Sequence, residues 1–446
     1  MLSVFRNMFR IPDLRRKIFF TLFIFLVYRV GTAIPSPGVD LDAVDQIAQQ
    51  GESGGVIGLI NLFSGGALEQ LSVFALGVLP YITASIIMQL LTVVIPRLQK
   101  LQEEGESGRQ IITQWTRYAT VALAVLQSTG ISWLMAQGSL TGGIPIITDY
   151  NTGTAVLIVT TLTAGTAFVM WLGELITQRG VGNGMSLLIF ISIVSALPAQ
   201  FTNAWNTSDP RAEFAILLAV FMFMVVAIIF VEQGQRRIPI QFAKRVRGRR
   251  VMGGQATYIP LKVNNAGVIP IIFATAVLYF PTLLVTVIPA GNPGSFWDGV
   301  RQWVDNFSGA GQNLGHNGAA VSTNMQLLYI LVLFLLIVFF TYFYTAIQFD
   351  PVKQAETIQR QGGFVPGIRP GPPTARHLEY ILSRITLPGS LFLGTVAILP
   401  TIVSMIFDVT FAFGGISILI VVGVALETMR QIESQLMMRN YEGFLA

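Results

Sequence analysis

The chain has no cysteine and only two histidines, His316 and His377, in 446 residues. The first absence excludes disulfides, thiolate metal sites and a cysteine nucleophile. The second leaves little for zinc or acid–base chemistry, and no HExxH, nucleophile elbow or paired intramembrane aspartates occur. No cofactor or metal is implied, and the chain does not read as an enzyme. Charge is also scarce, at 11% Asp, Glu, Lys and Arg against 52% hydrophobic residues, with a mean hydropathy of +0.63. The length would suggest two or three soluble domains, but this composition overrides it and points to a helix bundle in lipid.

What is present is a series of ten apolar segments, near 18–34, 71–95, 116–137, 154–176, 185–202, 213–231, 264–289, 325–347, 381–400 and 410–428. Each is about long enough to cross ~30 Å of hydrocarbon as a helix. Of the 28 Lys and Arg, all but four fall on the termini and on alternate connections; Arg211 and Arg301 lie on the other connections, Arg29 and Arg384 inside spans. Since cytoplasmic loops retain basic residues, both termini and the loops around 100, 180, 245 and 365 should face the cytoplasm. The first segment has a basic flank like a signal peptide but no small-residue cleavage pattern before Arg29, so it reads as a retained span.

Ten spans divide into five and five near 203–212, which gives halves of opposite orientation, the arrangement of inverted repeats. Such repeats also occur in secondary transporters of small solutes, the rival reading. Those machines place ionisable groups at mid-membrane, whereas here Arg29, Glu174, Glu379 and Arg384 sit near span ends.

Three stretches stand out between the spans. Residues 55–68, GVIGLINLFSGGAL, are apolar but too short to cross, so they either re-enter a cavity or lie on the surface as an interfacial helix. Loop 232–263 carries eight basic residues against Glu232 alone; its flanks favour extended chain, and Arg247-Gly248-Arg249 can turn, which predicts a projecting hairpin. Its charge suits nucleic acid, an acidic protein surface or anionic lipid. Loop 347–378 holds Arg369 among Pro366, Pro370, Pro372 and Pro373, either a stiff docking tip or a rigid connector. Loop 96–117 has nearly balanced charge and reads as a solvated connector, and Gly180-Val181-Gly182-Asn183-Gly184 has the wrong spacing and context for a phosphate loop.

Eight motifs, in order, resemble the SecY family of bacterial protein-export channels: Leu62-Phe63-Ser64-Gly65-Gly66-Ala67-Leu68, FALGVLPYITASIIMQLLTVVIP (74–96), EGESGR (104–109), GNGMSLLIF (182–190), GQRRIPIQFAKR (234–245), LKVNNAGVIP (261–270), PGIRPG (366–371) and FGGISILIVV (413–422). The resemblance spans about residues 15–444. It implies an all-α bundle of ten transmembrane helices in two inverted halves, 1–205 and 206–446, with an hourglass pore between them in the bacterial plasma membrane. By similarity, Val78, Ile82, Ile189, Ile272 and Ile420 form a pore ring. Ile57, Leu59, Ile60, Asn61, Leu62, Phe63, Ser64, Gly65 and Gly66 belong to a plug. Thr83, Gln127 and Asn264 are polar positions of a lateral gate that opens sideways to membrane lipids. The implied partners are the small subunits SecE and SecG, the SecA motor ATPase, the ribosome and its RNA, and an unfolded preprotein or signal peptide. Arg236, Arg237, Lys244, Arg245, Arg249, Arg250 and Arg369 correspond to docking positions. Ile238-Pro239-Ile240 departs from many relatives, and Pro239 would stiffen or shift that flank.

Overall fold

The computed structural model of the chain describes residues 11–44, 64–68, 70–137, 145–147, 149–207, 211–242, 245–247, 250–252, 256–287, 296–309, 321–407 and 414–442. Its helices are α1 (Pro12–Ala33), α2 (Leu79–Val94), α3 (Pro96–Glu103), α4 (Glu106–Ala136), α5 (Thr152–Arg179), α6 (Gly184–Thr207), α7 (Arg211–Gln233), α8 (Ile269–Val287), α9 (Phe296–Gly309), α10 (Thr323–Gln348), α11 (Pro351–Arg360), α12 (Pro372–Phe407) and α13 (Gly415–Glu442). Helices α4, α5, α7, α10, α12 and α13 are each long and apolar enough to cross a membrane. Large apolar side chains lie bare on their outer faces, Phe230 on α7 being 80% exposed. Such surfaces are stable only where the solvent is lipid, and the architecture is a polytopic membrane helix bundle.

Proline and glycine set the boundaries. Pro96 disfavours the helical conformation at Ile95, which is extended (φ −97°, ψ 113°), so α3 turns away from α2 by 99°. Gly105, at φ +80°, then reverses the chain into α4. The stretch 96–117 is thus helix, elbow and the first turns of α4 rather than a connector. Residues 71–78, expected as the start of a span, form turns instead, with Gly77 at φ +53° and Leu71 at φ +43°. Likewise α8 begins at Ile269, after bends at 263–266, and not at 264.

Helix contacts fall into two sets. In the first, α4 packs on α2 and α5, and α5 on α1 and α6. In the second, α10 packs on α8 and α12, and α13 on α7 and α12. The sets meet where α6 touches α13 and α7, and where α4 touches α8.

The basic hairpin forms as its sequence predicts. Strand β1 (Gln235–Phe242) pairs antiparallel with β4 (Ala256–Lys262), and β2 (Arg245–Arg247) with β3 (Arg250–Met252), joined across Gly248 and Arg249. Pro239 faces Tyr258 and Pro260 faces Arg237, the same alternate set of the ladder. That set directs its N–H positions away from the partner strand, so neither proline breaks the pairing. A short strand β5 (Gly363–Phe364), from the second basic loop, adds to β1 at Gln241 and Phe242. Ile238, Ile240, Leu261, Ile358, Val365, Leu378 and Ile381 close a small core beneath it. The two loops are therefore one folded unit.

If that core holds the unit together, Ile240→Ala should cost about 2–5 kcal/mol locally. Trypsin cleavage after Arg360 in otherwise intact protein should then rise at least ~10-fold. An unchanged rate would mean the loops fold separately.

Candidate functional site

Val78 sits just before α2, and the Ile82 N–H donates to its carbonyl at 3.1 Å, which stacks the two side chains one turn apart. Both are buried, and they share one apolar cluster with Ile189 of α6 and Ile420 of α13. Ile272, in the first turn of α8, is half-buried against the same cluster. These five aliphatic side chains, from four helices of both packing sets, thus belong to or pack against one apolar cluster that runs through much of the bundle. Branched hydrocarbon offers a passing chain dispersion contacts but no hydrogen bond, ion pair or nucleophile.

Of the nine residues expected in a re-entrant segment, Ile57, Leu59, Ile60, Asn61, Leu62 and Phe63 lie outside the described residues. Ser64, Gly65 and Gly66 are described, and the turns that follow them are hydrogen-bonded within the bundle. Ser72 N–H donates to Ala67 O at 2.9 Å, Ser36 N–H to Leu71 O at 3.0 Å and Val73 N–H to Ile34 O at 2.9 Å. Gly65 (φ +68°) presses on α6, where a β-carbon would come within 3.2 Å of Ser192 Cα. Nearby, the Tyr28 and Ser192 hydroxyls are 2.7 Å apart. Arg29 of α1 completes the arrangement by donating to Gly65 O at 3.0 Å. That role was not drawn from the sequence, although an arginine inside an apolar run was the available signal.

The three gate candidates do not form one hydrogen-bonded group. Thr83 donates back to Leu79 O at 3.0 Å within α2, which satisfies its hydroxyl locally. Gln127 is buried on α4, the helix that touches both α2 and α8. Asn264 lies in the bends ahead of α8 and donates to Glu232 Oε2 of α7 at 2.9 Å, while its buried Oδ1 has no partner. It sits at the level where α7 ends and the β-sheet begins, which is why its partner is there.

The basic connections gather at one end of the bundle. Leu14 of α1, Val181, and Ile432 and Leu436 of α13 pack together, and Arg430 of α13 donates to Glu232 O at 3.0 Å beside the sheet. Lys353 of α11 pairs with Glu103 of α3 at 2.9 Å, joining the connection near 100 to the one near 365. On this end Arg236 and Arg237 are exposed, Arg237 with its guanidinium 4.8 Å above the Tyr258 ring. Arg245 and Arg250 fall on β2 and β3, whereas Lys244 and Arg249 are outside the described residues. Arg369 is exposed on a tip stiffened by its prolines, and its carbonyl accepts from the Thr374 hydroxyl at 2.9 Å.

A family model described as SecY matches residues 72–429. The chain is 52% identical over 456 residues to the protein translocase subunit SecY of Mycobacterium tuberculosis (strain H37Rv), and 52% identical over 455 residues to that of Streptomyces galbus, with 100% of both chains covered in each case. Its fold is similar to a solved structure described as a protein conducting channel, with a TM-score of 0.65 at 17% identity, covering 94% of this chain and 92% of the other. It is also similar to Sec61 in the canine ribosome–channel complex from the endoplasmic reticulum, with a TM-score of 0.61 at 16% identity and the same coverage.

The Arg29 bond to Gly65 is testable because the chain lacks cysteine. A Ser64→Cys variant should be shielded from a membrane-impermeant maleimide, since Ser64 is fully buried. Adding Arg29→Met removes a charge-assisted bond worth about 1.5–3 kcal/mol and should speed labelling roughly tenfold or more. Equal rates would show that Arg29 does not hold this segment.

Proposed function

The chain belongs to the SecY family of protein translocase subunits, and from that premise we propose that it conducts unfolded polypeptide across the bacterial plasma membrane and releases apolar segments sideways into lipid. The observation that supports this reading is that Val78, Ile82, Ile189 and Ile420, from three helices, belong to one buried apolar cluster of the bundle, with Ile272 of a fourth packed against it. Two inverted five-helix halves, 1–205 and 206–446, flank that interior, hinged near 203–212. A ring of such side chains excludes water when narrow, and it spreads around a passing chain without gripping any sequence. Residues 57–66 fill the outer side at rest as a plug, whose inner end Arg29 and α6 position.

The gate is the seam where α4 meets α8, with Thr83 and Gln127 near it. Polar contacts between helices in lipid contribute only ~0.6–2 kcal/mol each, so an apolar signal sequence can compete with them. At the basic end the Lys353–Glu103 pair links α11 to α3. Asn264, bonded to Glu232, steadies the foot of α8 rather than the seam itself.

The basic end faces the cytoplasm with both termini, following the retention of Lys and Arg there. Its folded unit of β1, β4 and β5 presents Arg236, Arg237 and the Arg369 tip, with Arg245 and Arg250 on the β2–β3 extension of the hairpin, to the energy source, either ribosomal RNA, whose phosphates attract such a surface, or the SecA motor. The chain contributes no nucleotide chemistry in this scheme; hydrolysis belongs to the partner. SecE and SecG complete the assembly.

A photoreactive residue at Ile82 or Ile272 should crosslink to a stalled export substrate, while one at lipid-facing Phe230 should not. Adducts at none of the three, or equally at all, would remove the conduit reading. Separately, Arg369→Glu should reduce motor-driven export to about a tenth or less, by placing like charge where an acidic or phosphate partner docks. Membrane insertion of the variant itself should remain normal, and unimpaired export would refute the docking role.

A further inference from the structure

Helix α9, between α8 and α10, is the most sharply amphipathic element outside the basic end. Successive steps of 100° place Phe296, Val300, Trp303, Val304 and Phe307 within one arc of about 100°, with Trp297 at its border. Asp298, Arg301, Gln302 and Asn306 occupy the remainder. Only the middle of the apolar stripe is covered by the bundle. Val304 and Phe307 are buried, Phe307 meeting the Tyr329 ring of α10 edge-on at 5.7 Å. Trp303 stacks on Phe307 at 5.4 Å yet stays 49% exposed, and Phe296 and Trp297 are 77% and 53% exposed.

We propose that α9 lies in the lipid headgroup layer, with Phe296, Trp297 and Trp303 as its membrane anchors. Three arguments converge on lipid as the occupant. The helix it packs on is itself bare on its outer face, where Leu327, Leu331, Leu335 and Phe339 form an exposed apolar row beginning one turn inside the start of α10. Depth agrees: Tyr329, which α9 touches, is six residues into α10, about 9 Å along its axis, and amphipathic helices seat roughly 5–10 Å into the boundary. The residue types agree as well, because Trp combines an apolar body with an N–H that suits the interface. Since α9 packs on both α8 and α10, the anchor ties the ends of these helices far from the β-sheet to the bilayer surface.

The test is a spin label in nanodiscs holding the whole translocase complex, introduced as Phe296→Cys or, on the polar side of α9, Gln302→Cys. Power saturation compares oxygen, which concentrates in lipid, with a water-soluble nickel chelate. The oxygen-to-nickel ratio at 296 should exceed that at 302 by at least about threefold, as for a helix lying in the interface. A second measurement keeps the native aromatic: a protein retaining Trp303 as its single tryptophan should be quenched more by lipid brominated near the headgroup than by lipid brominated near the chain end. High nickel access at 296 would overturn the proposal in favour of water. Low access to both probes, with no bromine quenching, would overturn it in favour of a protein partner.

Discussion

In hydrocarbon a backbone amide can bond only to other protein groups, and the rest of this structure follows from that constraint. It makes the spans helical and makes every exception informative. The stretch 64–78 is such an exception, held by donations from Ser36, Ser72 and Val73 and by the Arg29 guanidinium on Gly65 O. A charged side chain within a span is expensive unless it serves a neighbour that would otherwise lack a partner. Arg29 therefore fits the segment it bonds better than it fits an ion pathway. The orphaned hydroxyls of Ser64 and Ser72 mark the same region as incompletely satisfied.

Charge asymmetry supplies the second ordering principle. Loops that look independent along the chain are joined where β5 adds to β1, over a core of Ile238, Ile240, Leu261 and Ile358. The consequence is mechanical. Force applied at Arg369 reaches β1 through a pairing and a packed core, and from there α7 and α8, which flank the hairpin. A docking surface on floppy loops could recruit a partner but could not transmit its push.

Much of this was legible beforehand. Hydropathy and the basic loops expose the bundle and its polarity, and Arg247-Gly248-Arg249 marks the hairpin turn, now bracketed by the Arg247–Arg250 pair. The resemblance, more than any periodicity, singled out Val78, Ile82, Ile189, Ile272 and Ile420, because a valine or isoleucine in a span is equally at home against lipid. What composition concealed was long-range pairing. Nothing local says that Gly363-Phe364 will add to a strand 120 residues earlier, that Glu103 will meet Lys353, or that Asn264 will bond Glu232. Balanced charge in 96–117 disguised two helical pieces, because the elbow at Gly105 depends on a positive φ rather than on hydropathy.

The distribution of chemistry within the proposed channel is itself an argument about its task. The interior proposed to meet cargo is aliphatic, and aliphatic contacts are additive, non-directional and indifferent to sequence. The polar contacts lie elsewhere: Arg29 on Gly65 O, Asn264 on Glu232, and Lys353 with Glu103 at the basic end. The Lys353–Glu103 pair among them is open to competing water and salt. A conduit that held its cargo by hydrogen bonds would have to break them at every residue of advance, and its rate would vary with sequence. Confining directional bonds to the closures leaves the path itself smooth, so that selection occurs at opening and transport afterwards is indiscriminate.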